Sequence, residues 1–168
     1  HHLLETMKVP QRVRCIFVVF FFPGAISLTE VNTGMELAPG LTGTCHMAVR
    51  VKDTAQAQGS GEVPVLSTPR MVALMEAAAV ACVRGRLPAG HTSVGVKLDV
   101  EHIAATPPGM EVRAAAKLVA VEGRRLVFEV EARDEIEVIG RGTHVRVVVE
   151  EMRFLEKTLR KWQACEGD

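Results

Sequence analysis

Residues 92–103 (T-S-V-G-V-K-L-D-V-E-H-I) alternate, with Val94, Val96, Leu98 and Val100 on one side and Gly95, Lys97, Asp99 and Glu101 on the other. A period of two predicts a β-strand. A turn is expected at T-P-P-G, then strands over 110–121 and 125–133 joined at V-E-G-R, where Gly123 suits a tight hairpin. A last strand is expected over 135–150, bulged at G-R-G, with His144, Arg146 and Val148 facing opposite to Val145, Val147 and Val149. Upstream, 42–52 read as a first strand and the small, polar 53–66 as a loop. Between loop and strands the period changes. S-T-P-R-M-V-A-L-M-E-A-A-A-V-A-C-V predicts a helix from about Pro69 to Arg84, with Thr68 as N-cap, Pro69 in the first turn and Gly85 beyond the end. Met152, Leu155, Leu159 and Trp162 fall at roughly helical spacing, which reads either as a short amphipathic helix or as a solvated, frayed end.

The order is strand, loop, one long helix, four antiparallel strands. A helix apolar on all sides must be covered, and a curved antiparallel sheet wrapped around it is the α+β hot-dog architecture. Such a sheet leaves edges that a second copy can cover, so a homodimer or a dimer of dimers is expected, with sites at the subunit interface.

Glu76 interrupts the apolar helix. From Met71 to Val83 every other residue is apolar, and no basic residue stands three or four positions away. A buried carboxylate without a partner is costly, and is kept mainly where it has a partner or a task. His102 ends the alternating strand just before the Thr106-Pro107-Pro108 turn, where it could orient Glu76, activate water or pass a proton. Thr68 is explained by capping alone, yet its hydroxyl could also serve a site. Gly95 reads either as a bulge or as a close approach of backbone to ligand.

Composition narrows the classes. The chain has 168 residues, with 20 Lys plus Arg against 20 Asp plus Glu, so there is no global basic footprint for nucleic acid. His46, His91, His102 and His144 lack metal-ligand spacing, and no metal or cofactor is expected. Cys15, Cys45, Cys82 and Cys165 show no CxxC pattern, and free thiols in a reducing cytoplasm are expected. Residues 1–34 carry Lys8, Arg12 and Arg14 ahead of an apolar Cys15–Phe22. That stretch is far short of the ~20 residues of a membrane helix, so no membrane partner is expected. It can be read as a signal peptide or as a tag or mis-assigned start upstream of Met35; the second is favoured, because M-E-L-A-P-G looks like a natural beginning. Residues 35–168 then form one domain and 1–34 a dispensable extension.

Four blocks in order, T-P-R-M-V-A-L-M-E, H-I-A-A-T-P-P-G, V-E-G-R-R-L and I-G-R-G-T-H-V-R, resemble the fluoroacetyl-CoA thioesterase family of hot-dog enzymes over about residues 63–150. The resemblance implies hydrolysis of an acyl-CoA thioester, with coenzyme A as part of the substrate. It implies Thr68, Glu76 and His102 as catalytic residues. It implies Gly95 as a glycine whose N–H faces the thioester carbonyl, and Arg146 as an arginine on the coenzyme A side. One departure stands out. The fluoroacetyl-specific enzyme has a lid phenylalanine in the loop before the helix, whereas G-S-G-E-V-P-V-L places Glu62 or Val63 there. A small- or short-acyl thioesterase is therefore expected rather than a fluorine-selective one. The competing readings are a hot-dog enoyl-CoA hydratase or dehydratase and a non-catalytic acyl-CoA-binding module. Arg124, Arg125 and Arg146 are candidates for the coenzyme A phosphates, but Arg124 and Arg125 read first as a solvated hairpin tip, and His144 as structural.

Overall fold

The computed structural model describes residues 36–165. Strand β1 (Thr42–Ala48) leads through a 3-10 turn (Val51–Asp53) and a short helix α1 (Ala55–Gln58) to the long helix α2 (Thr68–Val83). Then come β2 (His91–His102), β3 (Glu111–Glu122), β4 (Arg125–Arg133), β5 (Val138–Glu150) and α3 (Glu151–Cys165). The strands form one antiparallel sheet in the order β1-β3-β4-β5-β2. The expected α+β hot-dog arrangement is present: α2 lies on the sheet, and its Met71, Leu74, Met75, Ala78 and Cys82 meet Val112, Ala114, Leu118, Leu126 and Phe128 in the core.

Gly43 allows the close seat of α2 on β1. A Cβ there would overlap the Ala78 carbonyl oxygen and the Cys82 amide. The other side of α2 is less covered, with Ala73 exposed and Val72, Ala77 and Val80 half-buried. One sheet covers one face of a helix, so the apolar opposite face is only partly shielded within a single chain.

Local details differ from the sequence expectations. The N-cap of α2 is Ser67, whose hydroxyl accepts from the Arg70 N–H at 3.2 Å, and Thr68 is the first helical residue. Adjacent hydroxyl residues offer two candidate caps, and burial of Ser67 selects it. β1 ends at Ala48, four residues earlier than expected; the 3-10 turn at Val51–Asp53 follows it, and α1 occupies part of the expected loop. The bulge expected at Gly140-Arg141-Gly142 falls instead at Ile139, between the pairs Ala132–Gly140 and Arg133–Val138. The two glycines answer to proximity. A Cβ at Gly140 would lie 2.5 Å from the Met71 sulfur, and one at Gly142 would collide with the Asp99 carbonyl oxygen.

The free-thiol expectation holds at Cys82 and Cys165. It is corrected at Cys45, which is disulfide-bonded, because tertiary proximity can join cysteines that no short spacing links. Cys15 and the whole extension 1–34 lie outside the described residues. No helix among the described residues is long and apolar enough to cross a membrane.

Candidate active site

The candidate residues fall in two clusters, one at the end of β2 and one beside the bulge at Gly95. The first joins the start of α2 to the end of β2. Thr68 Oγ1 and His102 Nδ1 are 2.8 Å apart. His102 Nε2 is buried and has no hydrogen-bond partner among the described residues. Burial pushes the imidazole below its ordinary range, against a smaller upward pull from the Ala104 backbone, so the ring is neutral at pH 7 and can take up a proton.

Buried hydrogen bonds fix this end. The Leu66 N–H donates to the Thr106 carbonyl at 2.8 Å, and the Thr106 hydroxyl donates to Asp134 Oδ2 at 2.9 Å. Asp134 also accepts from the backbone N–H groups of Ile136 and Glu137, both at 2.9 Å. Burial raises the Asp134 pKa, but these donors and Arg133 outweigh it and hold the carboxyl below the usual range. Arg70 Nε donates to the buried Asp53 at 2.8 Å, tying the 3-10 turn to the first turn of α2. Thr68 therefore sits on a helix end held from two directions.

The second cluster surrounds Glu76. Its Oε1 lies 3.7 Å from Arg146 Nη1 and 3.7 Å from His144 Nε2. Glu76 is only partly covered, its side chain 37% exposed. The premise of a buried acid without a partner is thus corrected: the partners come from β5, across the core, where the helix sequence holds no trace of them. Arg146 is itself buried and anchored, Nε donating to Ser93 Oγ at 2.9 Å and Nη2 to the Ser93 carbonyl at 2.6 Å. His144 Nδ1 stands 2.9 Å from the Lys97 carbonyl. Burial lowers the His144 pKa, the Lys97 carbonyl opposes this, and Arg146 lowers it further against a small upward pull from Glu76. A neutral His144 therefore donates Nδ1–H to Lys97 and leaves Nε2 as an acceptor, which fits the 3.2 Å contact from Arg146 Nη1.

Gly95 makes room for the carboxylate. β2 bulges against β5 between Gly95 and Lys97, and a Cβ at Gly95 would lie 2.5 Å from Glu76 Oε1 and 3.1 Å from His144 Cε1. The bulge reading of this glycine holds, and the close approach seen here is to the Glu76 carboxylate.

The structure places Glu76, Gly95 and Arg146 together and Thr68 with His102, but the two groups are apart. Thr68 and Glu76 are eight residues apart on one helix, about 12 Å at ~1.5 Å per residue. Ser93 and His144 went unrecognised as site neighbours in the sequence. For His144 a signal existed, its alternation with Arg146 on β5; for Ser93 the signal needs the β2–β5 register, which pairs it with Val148. Glu62 and Val63 are exposed in the loop before α2. Among the described residues no three His, Cys, Asp or Glu side chains gather in a metal-binding arrangement.

Comparison with known proteins supplies the family. Residues 49–152 match the family model described as fluoroacetyl-CoA-specific thioesterase. The fluoroacetyl-CoA thioesterase of Streptantibioticus cattleyicolor is 44% identical over 100 residues, covering 60% of this chain and 72% of that protein. A crystal structure of a fluoroacetyl-CoA thioesterase superposes with a TM-score of 0.70 at 37% identity, covering 74% of this chain and 97% of that one. A Thermus thermophilus thioesterase superfamily member superposes with a TM-score of 0.74 at 27% identity, covering 80% and 99%. With more than half of its length matched, in a fold these structures share, the chain belongs to the fluoroacetyl-CoA-specific thioesterase family of hot-dog proteins.

Proposed function

We propose that this enzyme hydrolyses a small or short-chain acyl-CoA to the free acid and coenzyme A, at a site built from Thr68, Glu76, His102, Gly95 and Arg146. Family membership makes it an acyl-CoA thioester hydrolase. The observation that carries the assignment of roles is the close seat of Glu76 against the backbone of Gly95, with Arg146 behind the carboxylate. A thioester carbonyl placed at the Gly95 backbone would stand beside a carboxylate able to attack it or to activate water. Arg146 then acts by holding Glu76, a reading its anchorage on Ser93 supports better than a direct grip on phosphate. Thr68 and neutral His102 supply a hydroxyl and a proton acceptor at the other end.

The two ends meet in a dimer. β2 is an edge strand twelve residues long, and its Val96 and Leu98 are 53% and 40% exposed. Such an edge invites pairing with another strand. An antiparallel β2–β2 pairing centred between Leu98 and Asp99 sets Gly95 of one protomer opposite His102 of the partner subunit. That brings Glu76 toward a partner's Thr68–His102 pair and gives each dimer two composite sites. A dimer of dimers would extend this unit.

Glu62 and Val63 in the loop before α2 support broad small-acyl use over fluorine selectivity, since neither supplies an aromatic lid. No cofactor is assigned, coenzyme A being part of the substrate, and neither nucleic acid nor membrane is a partner in this reading. Cytoplasmic placement belongs to it too: free Cys82 and Cys165 accord with that, and the bonded Cys45 does not. The test is a panel of acyl-CoA substrates from acetyl to octanoyl, fluoroacetyl included, with free-thiol detection. Thiol release greatest for the short acyl groups is expected. Hydration of an enoyl-CoA without thiol release, or binding without turnover, would overturn the reading.

A further inference from the structure

We propose that the cleft between α3, the end of β5 and the β3–β4 hairpin tip holds the 3′-phosphorylated ADP end of a coenzyme A thioester. Arg124, Arg153 and Lys157 grip its phosphates, and Phe154 offers a face for the adenine. The inference rests on the acyl-CoA reading above and adds to it a nucleotide subsite.

The cleft measures about 500 Å³ and is lined by these four residues with His91, Val148 and Glu150 among others. Its walls are fixed to one another by backbone. The Val148 N–H donates to the Arg124 carbonyl at 2.8 Å, and the Glu151 N–H donates to the Gly90 carbonyl at 2.9 Å, so the hairpin tip and the start of α3 are both tied to the β2–β5 pair.

The charge distribution is local. The chain is formally neutral overall, yet three cations line this cleft against one carboxylate, Glu150. Arg125 next door is drawn off toward Glu122 at 3.7 Å. Arg124, Arg153 and Lys157 have no ion pair with any described residue. Uncommitted guanidinium and ammonium groups around a concave surface suit several phosphates at once. The aromatic residue fits the same ligand. Among the described residues the exposed aromatics are Phe154 and Trp162, both on α3, and Phe154 is the one that faces the cleft.

The position fits as well. Val148 lies two residues beyond Arg146 on the same side of β5, about 7 Å at ~3.3 Å per residue, and pairs with Ser93, the residue that anchors Arg146. An extended pantetheine arm laid along β2 and β5 from the Gly95 bulge runs toward this cleft.

Two measurements on the full chain decide it. Adenosine 3′,5′-bisphosphate is titrated calorimetrically into the wild-type protein and into Arg153→Ala/Lys157→Ala, and kcat/KM is measured on acetyl-CoA and on acetyl-pantetheine, which lacks the nucleotide. Expected are bisphosphate binding weakened about tenfold or more in the double variant, and an equal fall in the ratio of kcat/KM for acetyl-CoA to that for acetyl-pantetheine. Arg153→Lys should recover part of each. Bisphosphate affinity and substrate ratio unchanged in the double variant, or no bisphosphate binding by the wild type at millimolar concentration, would overturn the subsite. Bisphosphate binding that is lost in the variant, in a protein that hydrolyses no acyl-CoA, would keep the subsite and end the hydrolase reading instead.

Discussion

Thr68 and His102 are joined by a 2.8 Å contact from hydroxyl to Nδ1, between the first residue of α2 and the last of β2, while the far nitrogen of His102 is buried with no partner among the described residues. One side of the ring is fixed by the threonine, and Nε2 on the other side is buried. A neutral ring so arranged has a single remaining position from which to exchange a proton, which gives it a direction.

That arrangement predicts the pH profile. Burial lowers the His102 pKa, so the neutral, active form persists below the ordinary histidine value of 6.5, and activity is lost only as pH falls through the lowered pKa. The acid limb of kcat/KM should therefore fall below pH 6.5. Stability moves in the same direction. His102 and His144 are both depressed in the fold, so the unfolded chain binds more protons, and stability present above pH 6.5 is lost progressively below it. An acid limb above pH 7 would contradict this environment for His102.

Glu76→Gln keeps shape and removes basicity. We expect kcat to fall about 10²–10⁴-fold with a much smaller change in KM, the range of a lost general base. The protein should stay folded, since the carboxylate is partly exposed and its two neighbours are anchored elsewhere, Arg146 on Ser93 and His144 on Lys97. A near-normal kcat on the best acyl-CoA would remove Glu76 from the chemistry.

Composite sites make a prediction that no single-chain site shares. Glu76→Gln and His102→Ala proteins, each nearly inactive alone, are unfolded together, refolded and assayed. If each site takes Glu76 from one protomer and His102 from its partner, mixed dimers carry one intact site, and roughly a quarter of the wild-type rate should return for random pairing. No recovery, with mixed dimers shown by mass spectrometry, would mean that both residues act within one chain.

The periods of the sequence were enough for the long helix and the strands, but not for the 3-10 turn and α1, which lie where a strand end and a loop were expected. Alternation marked β2, and the helix after Pro69 was plain, because both signals are local. Residue pairing across the core was not legible. Nothing near Glu76 in sequence announces Arg146 or His144, which reach it only through the β2–β5 register and the bulge at Gly95. The T-P-P-G stretch was expected only as a turn, and the scaffold role of its Thr106, buried and bonded to Asp134, is visible only in the fold. The α2 cap was misplaced by one residue because Ser67 and Thr68 carry the same group, and only burial tells them apart.

Thr106→Val tests that scaffold. Volume is kept and the bond to Asp134 is lost, though Asp134 retains two backbone donors. A destabilisation of about 1–2 kcal/mol is expected in denaturant unfolding. Because the bond favours the ionised carboxyl, the difference from wild type should shrink as pH falls through the lowered Asp134 pKa. A difference that stays constant down to pH 2 would mean that the hydroxyl acts through packing alone.

Gly95→Ala and Gly142→Ala separate a glycine kept for the site from one kept for the sheet. Both lie in the β2–β5 pair, and at both an added methyl has no room. At Gly95 the obstacle is the end of a side chain, Glu76 Oε1 at 2.5 Å, and a partly exposed carboxylate can swing away. At Gly142 the obstacle is the backbone of Asp99 and Val100, which can yield only by opening the strand pair. Gly95→Ala should therefore unfold within about 1 kcal/mol of wild type, the usual range for a tolerated substitution. Its kcat should nevertheless drop at least about tenfold, because Glu76 is pushed from its place beside Arg146. Gly142→Ala should lose about 1–3 kcal/mol, the usual cost of overpacking. If Gly95→Ala retained full kcat, the seat of Glu76 against that backbone would be packing and not catalysis. If Gly142→Ala were as stable as wild type, the close contact between β2 and β5 would be wrong.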